Sequence, residues 1–258
     1  MKNKTLTMMF AMLMSMMALC ITFVSCGDDE DNIGPGGSGD SGGSVPQEVE
    51  AVDLALPSGT LWANMNVGAT TPEDYGDYFA WGETDGYKSG KSNFTSYTYK
   101  WCYGDFKVLT KYCGESEHGY NGFTDNKSEL ELLDDAAYVN MGKKWRMPSY
   151  NQFKELINNT YTTRELISQN GVPGLKITSK TNGNSIFLPS AAFYDEYGFN
   201  DHLGTDYYWT RTLASFHSSY ASTFSFEGRY PYKNLIGDMS MFRSRYEGLP
   251  VRAVCLSE

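Results

Sequence analysis

Apolar positions change their spacing several times along the chain. From Leu6 to Val24 they form an uninterrupted, Met-rich run without charge. Over residues 27–50 they almost vanish. From residue 51 an alternating pattern sets in: Val52, Leu54 and Leu56, then Leu61, Ala63, Met65 and Val67. Pro57-Ser58-Gly59-Thr60 separates the two sets, which predicts a strand, a tight turn and a second strand. Residues 68–128 hold no sustained period and predict a long, aromatic-rich series of loops. A short helix is expected over Asp134 to Asn140, and a better one over Ser149 to Asn159. Ser149 follows Pro148 and can cap the first turn, Gln152 completes a capping box, and Phe153, Leu156 and Ile157 share one face. Lys176–Lys180 and Ser185–Leu188 flank Thr181-Asn182-Gly183-Asn184, a strong hairpin signal. Tyr207–Arg211, Tyr220–Glu227 and Leu249–Cys255 read as strands. Strands outnumber helices, and the fold class expected is α+β.

The first 26 residues read as a processing segment and stand apart from the fold. Lys2 and Lys4 give a positive start, and the apolar run ends at Val24-Ser25-Cys26. A small residue before a Cys resembles the lipobox of bacterial lipoproteins, in which the Cys thiol carries a diacylglycerol. Cys26 is therefore the expected lipidation site and the link to a membrane. Residues 27–50 carry seven acids, no Lys or Arg, and many Gly and Ser. With almost nothing to bury, they are expected to form a flexible tether. An acidic run after the lipid-bearing Cys resembles the signal that sends some lipoproteins to the outer face of the outer membrane. Localisation is accordingly expected there, facing the cell exterior. The tether also spells Gly39-Asp40-Ser41-Gly42-Gly43 and Gly34-x-Gly36-x-x-Gly39. The first needs a packed barrel with His and Asp brought to the Ser, and the second a strand before it and a helix after it. A Gly/Ser linker produces both by composition alone.

Charge narrows the function classes. The 258 residues carry a net charge of −10, which argues against nucleic acid as a partner. Two of the 21 basic and seven of the 31 acidic residues precede residue 51, so residues 51–258 hold 19 against 24. Cys102 and Cys113 lie in the loop-rich stretch of an exported chain, and a disulfide between them is expected. Cys255 reads as a small buried hydrophobe.

Several segments together resemble the "major paralogous domain" (FISUMP) group of bacterial lipoproteins. They include Val52-Asp53-Leu54-x-Leu56-Pro57-Ser58-Gly59-Thr60-Leu61-Trp62-Ala63, Asn66-Val67-Gly68-Ala69 and the run from Pro72 to Thr84. Leu109-Thr110-Lys111-Tyr112-Cys113, Asp134-Asp135-Ala136-Ala137 and Trp145-Arg146-Met147-Pro148-Ser149 continue the match. Asn182-Gly183-Asn184-Ser185-Ile186-Phe187-Leu188-Pro189, Tyr208-Trp209 and Val251-Arg252-x-Val254 complete it. Ala253 stands where Pro is usual, and residues 212–248 match least. The resemblance implies a C-type-lectin-like domain over 51–258, with paired terminal strands, two short helices and long loops projecting from one side. It implies no activity.

Within that implied fold, calcium-dependent sugar binding needs an acid/amide-Pro-acid/amide loop and a Trp-Asn-Asp strand. This chain has neither: Trp209-Thr210-Arg211 stands near the second place, and Arg cannot ligate a cation. Asp195, Glu196, Asn200, Asp201 and Asp206 leave calcium open as a ligand. A solvated acidic loop is the stronger reading for them and for Asp74, Asp77 and Glu83, and neither a metal nor another cofactor is expected. His118, His202 and His217 show no ligand spacing. Formylglycine-generating oxidases share the implied fold and use a reactive Cys pair, which Cys102 and Cys113 imitate. Residues 193–246 alternate Tyr and Phe with Ser, Gly, Asn and Asp, a composition that offers rigid contact area and adaptable hydrogen bonding. Tyr194, Asp195, Tyr197, His217, Tyr230 and Tyr232 are expected on one exposed, contiguous surface that binds an extracellular glycan or protein without catalysis. The alternative is a structural or assembly component of the cell envelope, and an oxidase of the formylglycine type ranks third.

Overall fold

β1 (Ala51–Asp53) and β2 (Thr60–Asn66) pair antiparallel across a turn closed by Gly59 N–H donating to Leu56 O. Gly59 sits at φ 70°, a conformation that side chains resist. The computed structural model describes residues 48–258 apart from Ser89, Phe106, His202, Leu203, 229–235, 257 and 258. The chain divides into Met1–Asn32 and Ile33–Glu258, and every described residue belongs to the second unit. Cys26 and nearly all of the expected tether lie outside the described residues. Among the described residues, no helix is long and apolar enough to cross a membrane.

After β2 the chain makes no further named strand for a long stretch. Among the described residues it forms 3-10 turns at Ser116–His118, Tyr120–Gly122 and Leu132–Asp134, with isolated β-bridges such as Phe79 to Leu249 and Cys102 to Leu109. Two short helices follow. The Asp135 carboxylate caps α1 (Ala136–Met141) by accepting from Ala137 N and Tyr138 N. α2 (Tyr150–Leu156) begins with the expected Ser149/Gln152 capping box, both halves formed. The remaining elements are β3 (Thr162–Gln169), β4 (Val172–Ser179), β5 (Ser185–Pro189), β6 (Phe193–Asp195), β7 (Gly198–Asn200), β8 (Asp206–Leu213), β9 (Tyr220–Phe226), β10 (Phe242–Ser244) and β11 (Arg252–Leu256). Among the described residues four antiparallel sheets result, ordered β1-β2-β11, β3-β4-β5, β10-β9-β8 and β6-β7. The class is α+β and strand-rich, as expected. One detail differs: the first and last strands do not pair with each other, because β2 lies between them and bonds to both. The strand at Thr162–Gln169 is also an addition to the sequence-based elements.

The terminal sheet divides the core. Side chains alternate across a strand, and on β2 Leu61 and Ala63 enter one cluster while Trp62 enters the other. β11 repeats this with Ala253 and Cys255 against Val254, and β8 with Tyr207 and Trp209 against Tyr208. The first cluster gathers Trp81, Tyr112, Trp145 and Met147; the second gathers α2, β4 and β5. Because both faces are covered, each strand carries at least three consecutive apolar residues: Leu61-Trp62-Ala63, Tyr207-Tyr208-Trp209 and Ala253-Val254-Cys255. Cys255 is buried in the first cluster, as expected of a small hydrophobe.

Two buried arginines organise what lies around the sheets. Arg252 donates from Nε to Asn66 Oδ1 (2.9 Å), from Nη1 to Ala63 O (3.0 Å) and from Nη2 to Phe187 O (2.8 Å). It thereby ties β11 to β2 and β5. Complete burial pulls its pKa down to about 10, so the guanidinium stays charged near neutrality. Arg245 donates to Tyr99 Oη, Tyr112 O, Ser218 O and Lys111 O, with its guanidinium 4.9 Å from the Trp81 ring centre. It pins the loops of 95–115 to the connection between β8 and β9.

Candidate functional site

The hairpin of β6 and β7 carries the first three expected site residues. Alternation along β6 buries Phe193 and turns Tyr194 toward the loops. The Asp195 carboxylate shapes the turn: Oδ1 accepts from Tyr197 N (2.9 Å) and Oδ2 from Asn200 Nδ2 (3.0 Å). Tyr194 and Gly248 exchange both backbone hydrogen bonds, which docks the hairpin on the segment leading to β11. Gly248 is needed there, because a Cβ would stand 2.6 Å from the Phe94 ring.

Tyr194 is the centre of a ring cluster. It stacks on Tyr87 at 4.6 Å and 24°, meets Tyr78 edge-on at 4.9 Å, and lies 5.4 Å from Phe94 and 5.1 Å from Phe199. Such offset and edge contacts add to what area burial alone provides. Burial, together with the Tyr87 hydroxyl, pushes the Tyr194 phenol up to about 12, so Tyr194 stays a neutral donor and acceptor. The cluster is buried below and open above. Tyr87 and Phe199 are each 44% exposed and Tyr197 is 90% exposed. The carboxylates of Asp195 and Glu196 stand at the turn of the same hairpin. Rigid ring faces beside carboxylate acceptors can stack on an apolar ligand face and receive its hydroxyl or amide protons.

Beneath the hairpin lies a buried ion pair. Arg243 Nε is 2.5 Å from Glu247 Oε2, and the guanidinium covers the Phe193 ring at 4.0 Å. Burial pushes the Glu247 carboxyl up to about 7; Arg243 opposes this, and Asp195 and Glu196 add to it.

His217 belongs to a different ring cluster. It stacks on His118 at 3.9 Å and meets the edge of Tyr220 at 5.5 Å, while its Nδ1 accepts from Ser219 N. Of the expected surface residues, Tyr194, Asp195 and Tyr197 come together on one hairpin, and partly exposed His217 stacks on His118. Tyr230 and Tyr232 lie outside the described residues. Tyr87 joins the site from the 68–128 stretch, which has no periodic signal.

The expected disulfide is corrected. Cys102 and Cys113 are both free thiols. The Cys102 thiol donates to Ser96 O (2.8 Å) and the Cys113 thiol to Glu115 O (3.1 Å), so each points at its own loop's backbone. Burial pushes Cys102 up to about 11 and raises Cys113 as well. Both are neutral, the opposite of a reactive thiolate.

Other chemistry-bearing groups hold backbone in place. Ser218 Oγ donates to Glu115 Oε2, and that same oxygen lies 3.5 Å from His118 Nδ1. The carboxylate thus sits between Ser and His, whereas a nucleophilic triad needs the His in the middle. Asp77 accepts from Tyr78 N and Lys88 N, Glu83 from Lys100 N and Lys91, and Asp206 from Ala192 N and Gly228 N. Among the described residues, no group of three or more His, Cys, Asp or Glu is arranged to hold a metal ion. Compared with known proteins, the chain matches no family model, no curated protein and no solved structure.

Proposed function

We propose that this is a lipid-anchored lipoprotein of the outer membrane whose C-type-lectin-like domain faces the cell exterior and binds a glycan or protein there, without catalysis. The observation that carries this reading is the Tyr87–Tyr194 stack, flanked by exposed Tyr197 and Phe199 and by the carboxylates of Asp195 and Glu196. Soluble domains seldom leave aromatic rings open to water in a group, and a rimmed aromatic patch is characteristic of an interaction site. Terminal strands sharing one sheet, two short helices and long loops support the lectin-like reading. The lipobox-like Val24-Ser25-Cys26 and the acidic run after it support the anchor and its placement. The neutral thiols of Cys102 and Cys113 speak against the oxidase.

The test is a glycan array, with affinity capture from envelope extracts in parallel, using the full chain. Tyr87→Ala combined with Tyr197→Ala should weaken binding by about tenfold or more, because a few aromatic anchors carry most interface energy. The melting temperature should hardly move. Ligand binding unchanged in the double variant defeats the aromatic-face reading. Stable co-purification with envelope proteins, and no glycan bound, favours a structural or assembly role instead.

A further inference from the structure

A cavity of about 550 Å³ opens beside β11, away from the residues of the aromatic site. That is the size of a small-molecule pocket. Its apolar side is Val254 and Leu256 of β11 with Leu130 and Leu132. Leu256 is 67% and Leu132 46% exposed, so both stand at the mouth. Its polar side carries Lys144, Arg146 and Arg211.

The backbone fixes the two arginines. Arg146 and Val254 exchange both backbone hydrogen bonds, and Arg211 N donates to Pro148 O. Arg146 Nη1 donates to Lys143 O and Trp145 O, with the guanidinium held over the Tyr138 ring at 4.2 Å. Arg211 donates from Nε to Glu129 Oε2 and from Nη1 to Met147 O and Gln152 Oε1. Nη2 of both residues and Nε of Arg146 meet no acceptor among the described residues. The acids nearby are already used. Asp135 accepts from Ala137 N, Tyr138 N and Met147 N, and Glu129 is paired with Arg211. Three cations against these two carboxylates leave one positive charge in a protein of net charge −10.

We propose that this cavity binds a small monoanionic oxyanion carried on an alkyl body. The head meets the unused N–H groups of Arg146 and Arg211 beside Lys144, and the alkyl part lies on Val254, Leu132 and Leu256. Guanidinium forks match the geometry of carboxylate and phosphate oxygens, and one uncompensated charge suits a monoanion. A free alkyl carboxylate and a lipid phosphodiester share this chemistry. The inference does not rest on the aromatic face.

Calorimetric titration of the full chain with hexanoate and with dihexanoyl phosphatidylglycerol tests it, with acetate and hexanol as head-only and tail-only controls. At least one of the two amphiphiles should bind below about 1 mM, with both controls at least about tenfold weaker. Hexanoate alone binding marks a free carboxylate as the ligand; the phosphatidylglycerol alone binding marks a lipid headgroup. Arg146→Gln should weaken binding by about tenfold. Lys144→Glu and Leu256→Glu alter exposed side chains without hydrogen bonds of their own, so they test the site without threatening the fold. Each should weaken binding by about fivefold or more through added negative charge at the mouth, at an unchanged melting temperature. Neither amphiphile binding, or equal binding by these variants, overturns the proposal. So does loss of hexanoate or phosphatidylglycerol binding in the Tyr87→Ala/Tyr197→Ala chain, which would place the ligand on the other face.

Discussion

The described residues of 68–128 and residues 162–189 are held in place by opposite means. The second stretch is a ladder: β3 and β4 pair through eight consecutive residues, and β4 continues into β5. Backbone groups that face a neighbouring strand find partners almost regardless of the side chains outside. The first stretch has no such ladder. Its loops are held by single side chains: Asp77 and Glu83 accept from loop amides, Asp125 from Tyr112 N and Cys113 N, and Arg245 from below donates to two carbonyls of the stretch and one phenol. Order stored in individual side chains fails one residue at a time. Order stored in a ladder is shared among many bonds.

The largest expected effect comes from breaking the more fragile kind. Arg245→Met keeps bulk but leaves Tyr112 O, Ser218 O and Lys111 O without their donor in a buried setting. Each such loss costs about 1–3 kcal/mol, so total destabilisation should reach about 3 kcal/mol or more. Amide exchange should accelerate first in 99–113 and 218–219 while β3–β5 stay protected. Uniform acceleration would erase the contrast between the two stretches. A smaller effect should come from pH. The Glu247 carboxyl, at about 7 in the folded protein against its ordinary 4.5, holds its proton more tightly when folded. Its contribution to stability is therefore full below about pH 4.5 and declines as pH rises to about 7. Melting curves of the protein and of Glu247→Gln should diverge across that window. Their difference isolates this group from His217, whose pKa is lowered by burial and by His118. Parallel curves would mean that Glu247 stays charged throughout. The smallest effect belongs to the ladder: Glu165→Ala, on the exposed side of β3, should change stability by no more than about 0.5 kcal/mol in a urea melt.

The same contrast explains what can be read from the residues alone. Ser149 and Gln152 declare their helix because a capping box is local chemistry, and Asn182-Gly183 declares its hairpin in the same way. β3 is harder, because Thr162–Gln169 mixes charged, small and apolar residues over a half-covered face. Its local sign is the turn Asn170-Gly171, at φ 50° and 85°, the left-handed pair of a tight hairpin. The aromatic site is legible only in part. Tyr194, Asp195 and Tyr197 share one hairpin, but Tyr87 reaches them from a stretch without period. His217 stacks on His118, a pairing that no spacing encodes. The cysteine pair misleads for a related reason: proximity along the chain does not say which way each thiol turns.

Arg252 has a consequence in time as well as in space. Its bonds to Asn66 and Ala63 close loops of 186 and 189 residues. Contacts so distant in sequence make for slow folding. More pointedly, β2 receives its second neighbour only once residues 252–256 have been synthesised. A nascent chain lacking them presents one bare edge of β2, together with the apolar residues that β11 would cover. Closure of this sheet thus waits for residues 252–256, and a chain cut short before residue 252 keeps that edge of β2 open for as long as it exists.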